Sequence, residues 1–168
     1  MESKENLMKK CAPIGIVGLS ESSSRLAKRL SQRNHRVYAF SADADLCAEL
    51  LESGVLAGVS GDTELLDKVP LFIFDMTPSR ITEWLDEFAG FTPYDAVFTD
   101  LQVSSPADCY KWNMNLTGER EYVRFEPLKE QPGIRVLALP GTETRAKLIL
   151  YELGPVLSES DKEKPVSD

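Results

Sequence analysis

Short apolar runs and amphipathic stretches alternate along this chain, and the alternation predicts its elements. Ile14-Gly15-Ile16-Val17 is a brief apolar run of the kind that forms a buried strand. Ser22 to Arg33 then places Leu26, Ala27 and Leu30 on one side of a helix and Arg25, Lys28, Arg29 and Arg33 on the other. Arg36 to Phe40 predicts a second strand. Asp43 to Ser53 predicts a second helix, with Leu46, Cys47, Leu50 and Leu51 inward and Gly54 at its C-terminal cap. Val55 to Val59, Leu71 to Phe74 and Ala96 to Phe98 predict the third, fourth and fifth strands. Between the last two, Ile81, Trp84, Leu85 and Phe88 recur at i, i+3, i+4 and i+7 of a helix over Ser79 to Ala89, which assigns these rings to the core. Further along, Asp108 to Met114 reads as a helical turn, and Tyr122 to Phe125 and Ile134 to Leu139 as later strands. Thr142 to Leu153 reads as a closing helix capped by Gly154.

Strands that alternate with helices imply parallel β-α-β units, and right-handed crossovers wind them into an α/β, doubly wound, mostly parallel sheet with helices on both faces. Such sheets bind ligands at the carboxyl ends of their strands. Chemistry is therefore expected in the loops after Val17, Phe40, Phe74 and Phe98. Residues 1–11 are polar and predict a flexible lead, residues 12–157 one domain, and residues 158–168 a disordered tail too polar to bury much.

The bulk composition narrows the partners. The chain has 168 residues, of which 42% are hydrophobic and 27% charged, an ordinary balance for one globular domain. Its formal net charge of -8 repels phosphate backbones and anionic membrane surfaces, so neither nucleic acid nor membrane is an expected partner. A nucleotide is not excluded, because a helix N-terminus holds phosphate through local N–H groups whatever the net charge. Cys11, Cys47 and Cys109 are scattered, with no metal-ligand spacing and no disulfide framework, and so sparse a set suits a reducing compartment. Met1 to Lys10 lacks the apolar core of a secretory signal, and a cytoplasmic location is expected.

The most informative stretch is Gly15 to Ser24, between the first strand and the first helix. A dinucleotide-binding loop carries Gly-x-Gly-x-x-Gly here, for the turn, for close approach of pyrophosphate and for helix–strand packing. This chain has Gly18 at the first position and Ser20 and Ser23 at the other two. Ser20, Ser22, Ser23 and Ser24 either offer hydroxyl and N–H groups to a phosphate or serve as ordinary helix caps.

Together with Leu19, Leu26 and Ala27, the loop resembles the start of the prephenate and arogenate dehydrogenase family. The resemblance runs on through Asn34 to Phe40, Phe72-Ile73-Phe74-Asp75-Met76-Thr77-Pro78, Phe98-Thr99-Asp100 and Leu137 to Pro140, over roughly Pro13 to Ser160. It implies a Rossmann-like domain with NAD or NADP as candidate cofactor, and with Gly18, Ser20, Ser22, Ser23, Ser41, Thr77 and Asp100 as candidate cofactor-binding residues. Ser41 stands where the family has a ribose-binding acid. A serine there is compatible with a 2′-phosphate partnered by Arg36 or Arg25, while Asp43 or Asp45 is a candidate substitute for the acid. Asp75 adds an anion where phosphate or nicotinamide would lie. Glu126 stands where the family has its catalytic histidine. The only histidine, His35, precedes the second strand, at the edge away from the expected ligand. Asp75 and Asp100 end neighbouring strands and are a candidate acid–base pair, with capping of the next segment as the plainer role for Asp100. Trp112 and Tyr110 are assigned to a cleft or a partner surface.

Two classes of function follow. The first is a non-catalytic module that binds a small ligand, a dinucleotide or a protein partner. The family's helical second domain has no counterpart here, so a homodimer or other protein contact is expected in its place. The alternative is an NAD(P)-dependent oxidoreductase of the prephenate or arogenate dehydrogenase type.

Overall fold

The computed structural model describes residues 13–40, 43–59, 63–102, 104–137, 149–151 and 153–158. Its strands are β1 (Ile14–Val17), β2 (Val37–Phe40), β3 (Leu56–Val59), β4 (Leu71–Phe74), β5 (Val97–Asp100), β6 (Glu121–Tyr122), β7 (Arg124–Pro127) and β8 (Ile134–Leu137). The helices are α1 (Glu21–Gln32), α2 (Ala44–Glu52), α3 (Thr63–Leu66), α4 (Pro78–Phe88), α5 (Pro106–Asn115) and α6 (Gly154–Leu157).

Six strands form one sheet in the order β3-β2-β1-β4-β5-β6, with every pair parallel. This is the doubly wound order expected of a Rossmann-like fold. The apolar runs of β1 and β4 lie at its centre and are buried at every position, as strands covered on both faces must be. The order reverses between β1 and β4, which opens the ligand crevice of this architecture there. Register places Val17, Phe74 and Asp100 side by side, so Gly18 and Asp75 leave the sheet next to one another.

The two faces of the sheet differ in chemistry. One is aliphatic: Ile14, Ile16, Val37, Leu71, Ile73 and Val97 meet Leu26, Ala27 and Leu30 of α1, Leu50 of α2, and Ile149 and Leu153 near the C-terminus. The other is aromatic: Phe72 packs on Phe98 at 5.5 Å between ring centres, Phe74 on Tyr122 at 6.0 Å, and Trp112 on Tyr122 at 4.5 Å. Trp84 of α4 closes over Phe72 and Phe74 and is core, as its spacing predicted, while Phe88 packs half-buried against it.

Several boundaries differ from the sequence expectation. Residues 122–125 are not one strand. Tyr122 ends the parallel sheet, and Arg124 starts an antiparallel pair in which β7 meets β8. Alternation continues through both pieces, because Tyr122 is buried on the aromatic face while Val123 and Phe125 belong to the aliphatic cluster. The turn expected near Asp108 is a full helix, α5, started by Pro106 and capped by the Ser105 hydroxyl, which accepts the Asp108 N–H at 3.0 Å. Gly54 takes φ +84 after α2, the left-handed cap that was expected. Gly154 does not cap a helix end; it opens α6, because Pro155 sets the backbone for a helical first turn. Residues 149–151 of the expected closing helix are helical, and 142–148 lie outside the described residues, as does nearly all of the lead and tail. Among the described residues no helix is long and apolar enough to cross a membrane.

Candidate functional site

The crevice between β1 and β4 is built by Gly18, Ser20 and Asp75. Gly18 takes φ +86, and a Cβ there would lie 2.7 Å from the Asp75 carbonyl oxygen, so no other residue fits without displacing the chain. Its N–H donates to the Phe40 carbonyl at 2.8 Å, and the Asp75 N–H donates to the Val17 carbonyl at 2.8 Å. These bonds carry the parallel ladder one residue past the strands and press the Asp75 segment against the loop.

Ser20 is the N-cap of α1. Its Oγ accepts the Ser23 N–H at 3.5 Å, while Ser23 Oγ accepts the Ser20 N–H at 2.9 Å. This is a reciprocal capping box with serine in the position usually held by Glu or Gln. Ser23 is fully buried, and Ser24 turns its hydroxyl back to the Glu21 carbonyl at 2.7 Å. Ser22 is exposed in the first helical turn.

The Ser20 hydroxyl donates outward to Asp75 Oδ2 at 2.5 Å. On the other side, Gln102 Nε2 donates to Asp75 Oδ1 at 3.3 Å. A half-buried carboxylate thus stands at the head of α1, tied to the loops after β1 and β5. A helix N-terminus carries positive partial charge, and a carboxylate there is in a favourable field.

Asp100 faces inward. It is 1% exposed. Its Oδ2 accepts the Tyr122 hydroxyl at 2.5 Å and the Ser104 hydroxyl at 2.8 Å. Its Oδ1 accepts the backbone N–H groups of Gln102 at 3.1 Å and Ser104 at 3.2 Å. Arg124 reaches the Ser104 carbonyl at 3.1 Å, which pins the same loop from outside. With its proton given to Asp100, Ser104 Oγ accepts from the Cys109 thiol at 3.4 Å. Burial, then the Asp100 charge and hydrogen bond, push the Tyr122 hydroxyl far above its ordinary range. Burial likewise raises the Cys109 thiol. A tyrosine held neutral and a thiol held protonated are fixed donors rather than proton acceptors. Through the two backbone N–H groups, Asp100 caps the loop after β5.

The other sequence candidates are dispersed. Thr77 is the N-cap of α4, exposed, and its Oγ1 lies 3.5 Å from Ser79 Oγ. Ser41 lies outside the described residues. Asp43 caps α2 through the Leu46 N–H at 2.9 Å, and Arg25 and Arg36 are exposed. Glu126 pairs with Arg135 across the β7–β8 hairpin at 3.5 Å, with both side chains well exposed, an ion pair of small energetic weight. His35 sits in the turn before β2, away from the crevice, with its backbone N–H on the Leu30 carbonyl. Trp112 is buried and donates its indole N–H to Thr82 Oγ1 at 2.9 Å, whereas Tyr110 is exposed. Among the described residues no group of His, Cys, Asp and Glu is arranged to hold a metal ion.

Sequence reasoning missed Tyr122, Ser104 and Gln102. Each is a common polar residue, and the Tyr122–Asp100 bond spans 22 positions, so no local spacing marks it.

No protein-family model matches the chain, and no curated protein does. Solved structures match its fold. Arogenate dehydrogenase from Synechocystis superposes with a TM-score of 0.72 at 16% identity, covering 88% of this chain and 58% of that one. The 3-hydroxyisobutyrate dehydrogenase of Mycobacterium tuberculosis gives 0.68 at 15% identity over 86% and 52%. Prephenate dehydrogenase from A. aeolicus, solved with hydroxyphenyl propionate and NAD+, gives 0.65 at 17% identity over 86% and 56%. The chain thus spans little more than half the length of these enzymes. At such identities the likeness is one of fold: this is a Rossmann-like α/β domain of the kind that dehydrogenases carry.

Proposed function

We propose that this domain is a non-catalytic Rossmann module, in which the chain's own Asp75 takes the place that a dinucleotide's pyrophosphate takes in a working domain. The Ser20–Asp75 hydrogen bond carries this reading. In this fold the pyrophosphate sits at the N-terminus of the first helix, against the loop after β1. Here Ser20 puts a side chain at the close-approach position and directs it to a carboxylate. Two unit charges 4 Å apart repel by about 4 kcal/mol at an effective dielectric of 20. That is close to a thousandfold in affinity. Asp75 thus opposes a phosphate that the fold would otherwise welcome. The candidate acid–base residues also serve other ends, with Asp100 buried in a cap and Glu126 paired on a hairpin. The module would act by binding a protein partner, a second copy of itself or a small ligand, and a cytoplasmic setting fits its cysteine content.

The alternative, an NAD(P)-dependent oxidoreductase, draws on the fold and on the NAD+ held by the prephenate dehydrogenase neighbour. Titration calorimetry with NAD, NADH, NADP and NADPH at one fixed salt concentration separates the two. The native chain is expected to show no binding at about 1 mM cofactor. Asp75→Asn combined with Ser20→Gly is expected to gain affinity. Micromolar binding by the native chain would overturn the proposal.

A further inference from the structure

α4 and α5 diverge around a cavity of about 240 Å³. Gly90 and Arg120, which line it, shortly precede β5 and β6, so it opens near the amino ends of the strands, away from Ser20 and Asp75. Leu85, Ala89, Trp112 and Leu116 give it an apolar wall. Trp112 adds no polar group to that wall, because Thr82 Oγ1 accepts its indole N–H at 2.9 Å.

The Arg120 guanidinium is spent within the protein. It donates to Thr92 Oγ1 at 2.9 Å, the Thr92 carbonyl at 2.6 Å and Thr117 Oγ1 at 3.0 Å. Longer contacts reach the Thr117 carbonyl at 3.3 Å and the Gly90 carbonyl at 3.5 Å. Together these bonds clamp the turn Gly90–Thr92 onto the turn at Thr117. The Glu119 N–H, on the Tyr94 carbonyl at 2.8 Å, is a further tie. The segment after α4 is thus braced from several sides, yet it leaves large rings in water: Phe91 is 50% exposed and Tyr94 62%. On the α5 side, Met114 is 65% exposed and precedes Asn115, which lines the cavity.

A ring held out on a braced turn has already lost the conformational freedom that binding would cost it, and aromatic anchors of this kind dominate protein contacts. Phe91 directly follows Gly90, so the ring and the cavity lie side by side on one surface. A benzene molecule occupies a cavity of about 150 Å³, so one of about 240 Å³ has room for a phenyl ring. The chain therefore carries a projection beside a hollow that fits it. Two copies related by a twofold axis can fill each other's hollows at once.

We propose that this surface joins two copies of the chain, the Phe91 ring of each entering the cavity between α4 and α5 of the other, with Met114 at the rim. Arg120 takes its own acceptors into the contact, so its guanidinium is not stripped of hydrogen bonds there. A second copy is one of the partners open to a binding module, and the purpose of the dimer rests on that reading. Its formation does not, because the dinucleotide crevice lies at the other end of the strands.

Sedimentation equilibrium of the full chain tests this. The native chain is expected to be dimeric at about 100 μM and to dissociate on dilution. Phe91→Ser removes the projecting ring. Gly90→Leu fills the hollow, and a Cβ at Gly90 meets no atom within 4 Å, so the fold accepts the change. Each is expected to weaken dimerisation about a hundredfold or more, since each defect occurs twice in a twofold pair. The circular dichroism spectrum should not change. Mixed together, the two variants should pair more tightly than either alone, because one Phe91 still meets one open cavity. Leu51→Ser, also at an exposed apolar residue but on α2, should leave the dimer intact. A monomeric native chain would overturn the proposal, as would a dimer that Phe91→Ser and Gly90→Leu do not weaken. Calorimetry with dinucleotides reads the other site, so failure of either result leaves the other standing.

Discussion

Asp75 and Asp100 follow or end neighbouring parallel strands, yet the fold uses them in opposite ways. Asp100 is the last residue of β5. It is buried and accepts from two hydroxyls and two backbone N–H groups. Asp75 is one residue beyond β4, half-buried, and accepts from the side chains of Ser20 and Gln102. A buried carboxylate needs its charge satisfied on every side, so Asp100 organises the loop after β5 and is inseparable from the fold. A carboxylate at the mouth of a crevice keeps part of its hydration and can change without breaking the core. The same residue type is therefore structural at one strand end and available for selection at the next. Position relative to the sheet edge makes the difference.

The comparison sharpens first with Asp100→Ala. This change leaves the Tyr122 and Ser104 hydroxyls and two N–H groups without their acceptor, and is expected to cost about 3–5 kcal/mol in urea unfolding. A cost as small as that of changing Asp75 would break the contrast.

Tyr122→Phe removes one donor to the buried charge and is expected to cost about 1.5–3 kcal/mol. It also changes the response to pH. The folded-state value of Tyr122 is raised, so above the ordinary tyrosine value of about 10 the unfolded chain releases a proton that the native chain retains. The stability from this neutral hydroxyl is complete below that pH and is lost as the pH climbs. Unfolding free energy measured from pH 8 to 11 should fall at the alkaline end in the native chain, and less steeply in Tyr122→Phe.

At the crevice, Gly18→Ala is expected to lower stability by about 1–2 kcal/mol from the left-handed backbone alone. Contact with the Asp75 carbonyl adds to this, and a thermal melt reads the sum. Asp75→Ala should give the smallest stability effect, about 1 kcal/mol or less, since Ser20 and Gln102 can turn to water. Its main effect should appear in cofactor titration instead. A large loss of stability with no change in ligand binding would make Asp75 a structural residue like Asp100.

The elements themselves were legible because their signals are local. The i, i+3, i+4 and i+7 spacing of Ile81, Trp84, Leu85 and Phe88 located α4, and Gly54 marked the end of α2. Apolar runs located β1 and β4, and right-handed crossovers between such runs leave few topologies. The loop after β1 was legible as a place of interest. Its state was not, because serine caps a helix and binds phosphate with the same atoms.

By itself, then, the sequence determined the alternation of strands and helices, the doubly wound class and the strand ends where chemistry belongs. Only the tertiary structure decided that Ser20 meets Asp75 across 55 positions and that Asp100 turns inward to Tyr122. It also decided that the parallel sheet stops at Tyr122. Periodicity and capping act over one or two turns of chain and are written locally. Which carboxylate faces which hydroxyl depends on strand order and register, which exist only once the sheet has formed.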